Sequence, residues 1–201
     1  MFERPHTIRA RLARWLLEAA GWRLLDLPLP GPRGVVVAYP HTSNWDFIVG
    51  LLFKTAMGWD IRFWAKDSLL KIPLFGRWIA WVGAVPVNRS GATGLVQETV
   101  AAMNKADQFW LALAPEGTRR HVNGWRMGFF HVWREANVPL GIAVIDYGRK
   151  QVGIKAYLPA EDETEVEAFA RIERAMGEAR GYHPAQAAPI RPYQKAQPPQ
   201  N

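Results

Sequence analysis

Apolar residues recur along the chain with two periods, and the changes between them mark an alternation of strands and helices. GVVVAY (34–39) is apolar almost without interruption, the pattern of a strand covered on both faces. NWDFIVGLLFKTA (44–56) then reads as a helix and IRFWA (61–65) as a strand. A short helix over 72–83, a strand end at 84–88, a helix over 94–106 and a strand over 109–114 follow. GFFHVWREA (128–136) is helical, and 138–147 and 152–158 read as two strands joined by a Gly-Arg-Lys turn. DETEVEAFARIERAMGEAR (162–180) closes the pattern as a charged amphipathic helix. This alternation predicts an α/β fold with a mixed, mainly parallel sheet flanked by helices, ending in a hairpin.

The first segment stands apart. TIRARLARWLLEAAGWRLL (7–25) places Ile8, Leu12, Trp15, Leu16, Ala19 and Trp22 on one helical face, with Arg9, Arg14 and Glu18 off it and Arg11 and Arg23 at its flanks. A basic amphipathic helix with Trp on its apolar side fits a membrane interface. It fits equally a helix packed on the domain with a solvated basic rim. PLPGPRG (28–34) reads as a connector. The expected organisation is an amphipathic helix over 1–27, one α/β domain over 28–180 and a Pro/Gln/Ala-rich, disordered tail over 181–201. No apolar run reaches the roughly 18–20 residues of a spanning helix, and the N-terminus lacks a signal-peptide pattern. Peripheral or monotopic attachment is therefore the form any membrane association is expected to take.

Composition narrows the function classes. With 49% hydrophobic and 21% charged residues the 201-residue chain is globular. Ten tryptophans are many for this length, and Trp favours interfaces as well as cores. A net charge of +7 calls for an anionic partner: a membrane surface, a phosphorylated substrate or nucleic acid. The basic residues are not interleaved with aromatics as single-strand binders require, so nucleic acid is the remote choice. The absence of cysteine excludes disulfides, thiolate catalysis and Cys-based zinc sites.

The candidate chemistry begins at YPHTSNWDF (39–47). Residues five apart on a continuous helix are rotated by ~140° net, so His41 and Asp46 meet only if His41 lies in the loop and Asp46 in the first helical turn. Pro40 and Ser43 favour that arrangement, with Ser43 as N-cap. The same features support a purely capping role for Asp46, in the manner of a capping box. A catalytic reading has Asp46 fixing the His41 tautomer so that the other ring nitrogen takes a proton. Two later segments bear on the choice: Arg89 follows one strand, and Glu116, Gly117, Thr118 and Arg119 follow another. Gly117 permits a close turn, and arginine offers a fork suited to phosphate. Each arginine alone reads as a solvated charge, but three strand ends on one rim would form a site. Lys66, after IRFWA, adds positive charge. No further ligand cluster joins His41 and Asp46, so no metal is expected.

These segments together match a family. Pro40-His41-Thr42-Ser43-Asn44-Trp45-Asp46 resembles the His-x-x-x-x-Asp motif of the glycerolipid acyltransferases, which include the 1-acylglycerol-3-phosphate acyltransferases. Gly83 to Arg89 resembles their second motif, which ends in a substrate-binding arginine, and Pro115 to Arg119 their third. Val138-Pro139-Leu140 resembles the start of the fourth. The order holds over residues 35–147. The resemblance implies transfer of a fatty acyl group from acyl-CoA or acyl carrier protein to a lysophospholipid hydroxyl at the cytoplasmic face of a membrane, with no other cofactor. It implies His41 as base, Asp46 as its orienting partner, and Arg89, Glu116, Gly117, Thr118, Arg119 and Lys66 on the substrate side. Pro40, Arg120 and Ile142 depart from the usual residues, which bears on the acceptor: a lyso-aminolipid acceptor, or transacylation on the same scaffold, is the alternative. Leu74, Phe75, Trp78, Ile79 and Trp81 read either as core or as an acyl groove.

Overall fold

A computed structural model of the protein describes residues 7–87 and 94–194. The apolar runs become the strands of one sheet: β1 (Arg23–Asp26), β2 (Arg33–Tyr39), β3 (Ile61–Lys66), β4 (Ala84–Val87), β5 (Phe109–Leu113), β6 (Leu140–Asp146) and β7 (Gln151–Leu158). Their order is β1-β7-β6-β2-β5-β3-β4. The five strands from β2 to β6 are mutually parallel, β7 pairs antiparallel with β6, and β1 pairs parallel with β7. The sheet is therefore mixed and mainly parallel, with the expected hairpin at its end.

Helices α1 (Ile8–Ala19), α2 (Trp45–Met57), α3 (Asp67–Leu70), α4 (Phe75–Trp81), α5 (Leu95–Lys105), α6 (Gly128–Ala136) and α7 (Glu165–Met176) flank the sheet. The period of two along β2 sends Val35, Val37 and Tyr39 into a cluster with Met103, Phe129, Trp133 and Phe169 from α5, α6 and α7. Val36 faces the other way, beside Ile61, Trp110 and Ile154. Leu17 and Trp22 meet Val49 and Phe53 of α2 in a third cluster, which also takes in Ile145 and Val152 of the sheet. Both faces are covered, as a buried parallel sheet requires.

The N-terminal segment departs from the sequence expectation in where its helix stops. Its helix ends at Ala19, because Gly21 takes a left-handed φ of 80° and its N–H bonds to Glu18 while Trp22 N–H bonds back to Leu17. That is a Schellman ending, with Trp22 packed on Leu17 as its apolar clasp. Arg23–Asp26 is consequently a strand rather than more helix. Of the two readings of its apolar face, packing on the domain does not hold for most of it: Ala10, Ala13 and Leu17 are buried where α1 meets α2, whereas Ile8, Leu12, Trp15 and Leu16 are exposed. Alanines allow close helix contact, and the large residues are left facing outward.

The tail departs as well. Residues 181–194 are packed against the domain, where composition predicts disorder; 195–201 lie outside the described residues. Trp125 N–H donates to Arg191 O at 2.7 Å, Tyr193 N–H to Trp125 O at 2.9 Å, and Asn123 Nδ2 to Gln194 O at 2.8 Å. Backbone groups do the holding, which is why a Pro/Gln/Ala composition does not betray it.

Candidate active site

Chain order makes the carboxyl end of β2 a topological switch point. After β2 the chain moves to β3 and β4 on one side, returns through β5, and crosses to β6 on the other side. Such a reversal opens a gap beyond the strand ends, where α/β sheets bind ligands. The loops that follow β2 and β5 and the residue that follows β6 all meet there.

His41 lies in the loop after β2, and Asp46 in the first turn of α2. Asn44 precedes the helix without capping it through its side chain; Ser43 does so instead, its Oγ accepting from Trp45 N–H at 3.2 Å. Asp46 reaches back, and its Oδ2 accepts from Thr42 N–H at 2.7 Å and Ser43 N–H at 2.8 Å. The same Oδ2 stands 3.3 Å from His41 Nδ1. Cap and pair are thus one arrangement, because the cap is what turns the carboxylate toward the imidazole. Asp46 is 1% exposed, and burial alone would raise its carboxyl; donors from His41 and Ser43 outweigh this and hold it below the ordinary value. The His41 side chain is 20% exposed, and no described residue hydrogen-bonds to its Nε2.

Glu116 lies in the loop after β5. It is 1% exposed, and both of its oxygens are taken by backbone donors: His41 N–H at 2.5 Å and Ala188 N–H at 2.9 Å. What it holds is the His41 backbone and the C-terminal segment. Burial pushes its carboxyl up to about 7, with the two amides limiting the rise. Gly117 follows with φ 67°, the left-handed turn that sends Thr118 and Arg119 back toward the surface.

The C-terminal segment crosses this rim. His183 N–H donates to Thr42 Oγ1 at 3.1 Å, and Tyr39 O–H to Ala188 O at 2.9 Å. Burial pushes the Tyr39 phenol up to about 12, so it serves as a neutral donor. With its amide turned so that nitrogen faces acceptors, Gln186 donates to Thr42 O at 3.2 Å and Arg119 O at 2.6 Å. A Cβ on Gly181 would stand 2.7 Å from Thr42 Oγ1, so the strap fits closely on the loop. No side-chain pattern in the sequence signals these roles of Thr42, Gln186 and Ala188, because each bond has a backbone group on at least one side.

The remaining candidates divide. Arg119 is exposed at the rim, with its backbone tied to the strap. Lys66 ends β3, is exposed, and sits level with Val87 in the β3–β4 register. Arg89 lies outside the described residues. Of the five apolar residues read as core or groove, Ile79 alone is buried, whereas Leu74, Phe75, Trp78 and Trp81 are exposed. Trp78 meets Phe47, the neighbour of Asp46, edge-on at 6.4 Å, and Arg9 of α1 lies over Trp81 at 5.4 Å. Four of the tryptophans, Trp22, Trp110, Trp125 and Trp133, are core, and four, Trp15, Trp45, Trp78 and Trp81, stand exposed on α1, α2 and α4. Among the described residues, no helix is long and apolar enough to cross a membrane.

Residues 27–145 match the family model described as Acyltransferase. The crystal structure of the 1-acyl-sn-glycerophosphate (LPA) acyltransferase PlsC from Thermotoga maritima is similar, with a TM-score of 0.56 and 17% sequence identity over 83% of this chain and 74% of that one. At that identity the likeness speaks for the fold. No curated protein matches the sequence. The matched span covers more than half of the chain and contains β2 to β5, nearly all of β6, and the rim where Asp46 and Glu116 converge on His41. On that match the chain belongs to the acyltransferase family.

Proposed function

We propose that this acyltransferase moves a fatty acyl group from a thioester, acyl-CoA or acyl carrier protein, to the hydroxyl of a lysophospholipid of the 1-acylglycerol-3-phosphate type. The observation that carries the reading is the 3.3 Å contact between His41 Nδ1 and an Asp46 oxygen already fixed by two backbone N–H groups. A carboxylate so placed keeps the proton on Nδ1 and presents Nε2 as the base. The acceptor oxygen attacks the thioester carbonyl carbon as its proton passes to Nε2. The tetrahedral intermediate then breaks its C–S bond, and the leaving sulfur takes the proton from His41 Nε2, so that a thiol departs and the base is restored. The chain has no cysteine and no Gly-x-Ser-x-Gly elbow, which favours direct transfer over an acyl-enzyme.

Arg119, with Arg89 and Lys66, is the proposed seat of the acceptor phosphate, where a charge-assisted fork gives strength and orientation. Gly117 and Thr118 shape the loop that presents it. The exposed aromatic side chains of α4, linked to the site through Trp78 and Phe47, suit the acyl chain. The outward stripe of Ile8, Leu12, Trp15 and Leu16, with a net charge of +7, suits peripheral docking on an anionic membrane surface. The test is transfer from a labelled acyl thioester to a panel of lyso-lipids. Product is expected with phosphate-bearing acceptors and only when the thioester is present, and Arg119→Ala should raise the acceptor KM about tenfold or more. Equal transfer to phosphate-free acceptors, or an unchanged KM in the variant, contradicts the assignment.

A further inference from the structure

Asp46 holds its loop and faces His41 through a single oxygen. Oδ2 carries the Thr42 and Ser43 amides and faces His41, whereas Oδ1 is fully enclosed without a backbone or cationic partner. A buried carboxylate oxygen left this way is costly. A second enclosed polar atom stands in the same situation: the hydroxyl of Tyr147, which, like Asp46 Oδ1, makes no hydrogen bond among the described residues. Tyr147 directly follows β6, at the strand end beside β2. Its ring packs on the cluster containing Val49 and Phe53, successive turns of the helix that begins at Asp46's own turn. Trp22 holds the ring edge-on at 5.0 Å, and Tyr182 of the C-terminal strap does so at 5.2 Å. The two groups also sense each other: the Tyr147 hydroxyl helps to lower Asp46, and Asp46 adds to the rise that burial gives Tyr147.

We propose that Tyr147 is a positioning residue whose O–H donates to Asp46 Oδ1, locking the carboxylate so that Oδ2 stays turned toward His41 Nδ1. This rests on the general-base reading of His41. The carboxyl group turns about a soft terminal torsion, and the two backbone donors alone leave its outer oxygen unanchored. With Tyr147 in place each oxygen has a fixed donor, and the imidazole is held in one tautomer and one orientation. Neither the motif containing Asp46 nor any spacing in the sequence points to Tyr147, since the pair lies about half the chain apart and meets only through the sheet order.

Tyr147→Phe keeps the ring and its contacts with Trp22 and Tyr182 and removes only the hydroxyl. The expected result is a kcat lower by about tenfold, in keeping with one hydrogen bond to a charged group. Donor and acceptor KM should stay within about twofold, since no substrate contact is lost. In an Asp46→Asn background the same substitution should change kcat by less than about twofold, because its target carboxylate is gone. Full kcat in Tyr147→Phe, a loss carried by KM alone, or an undiminished tenfold loss on top of Asp46→Asn would each overturn the proposal. If His41→Ala and Asp46→Asn each lower transfer strongly while Tyr147→Phe keeps full kcat, the positioning role alone fails. If His41→Ala retains transfer, the general-base reading fails instead.

Discussion

Replacing Glu116 by glutamine removes a buried charge while nearly keeping its shape, and the effect on stability should depend on pH. Glu116 is 1% exposed, and burial raises its carboxyl from 4.5 to about 7. Between those values the folded protein keeps a proton that the unfolded chain has released, so stability falls as pH rises through the window. At about 1.4 kcal/mol per pH unit, the full loss comes to about 3 kcal/mol. Glutamine has no such slope. It carries instead a fixed penalty of about 1–3 kcal/mol, because its amide nitrogen opposes one of the N–H donors from His41 and Ala188. Urea unfolding of both proteins at about pH 5 and about pH 8 isolates the difference, since the other titrating groups are common to both. The wild type should be the more stable at the lower pH, with its advantage shrinking by about 3 kcal/mol at the higher one. A stability gap that stays constant to within about 0.5 kcal/mol would refute the claim that a buried, proton-holding carboxyl ties the His41 loop to the strap.

Two further predictions concern the chain's ends. Deleting 181–201 leaves Glu116 Oε1, Thr42 Oγ1 and the Tyr39 hydroxyl without their partners. The truncated enzyme should lose kcat by about tenfold or more and melt several degrees lower; a folded truncation with full activity would show the strap to be dispensable. Leu12→Asp combined with Trp15→Glu alters side chains that are 53% and 61% exposed, so the melting temperature should hold. Co-sedimentation with anionic vesicles should fall sharply in that double variant, and undiminished binding would remove α1 as the docking surface.

Most strands were legible because burial on both faces leaves a short continuous apolar run, as in Gly34 to Tyr39, rich in β-branched valine and preceded by a Pro/Gly connector. The end of α1 was less so. A helical period carried through Gly21 to Trp22 looks unbroken, although glycine followed by a large apolar residue is the mark of the Schellman ending that the structure has. Periodicity found the large apolar face but not the buried one, because it weighs large side chains, and this helix packs through Ala10 and Ala13. At the site, the loop-to-helix placement of His41 and Asp46 followed from Pro40 and Ser43. The fixation of the loop by Glu116 and the strap did not. It depends on backbone amides at His41 and Ala188, which every residue except proline possesses and which no pattern of side chains reveals.

The most direct test of His41 as general base is transfer of a labelled acyl group by His41→Ala, measured alongside the wild type with saturating donor and acceptor. The loop should survive the substitution, because Glu116 grips the His41 backbone rather than its ring. The account predicts a kcat lower by about 10²–10⁴-fold with an unchanged melting temperature. A folded variant that still transfers at more than about a tenth of the wild-type rate would contradict it.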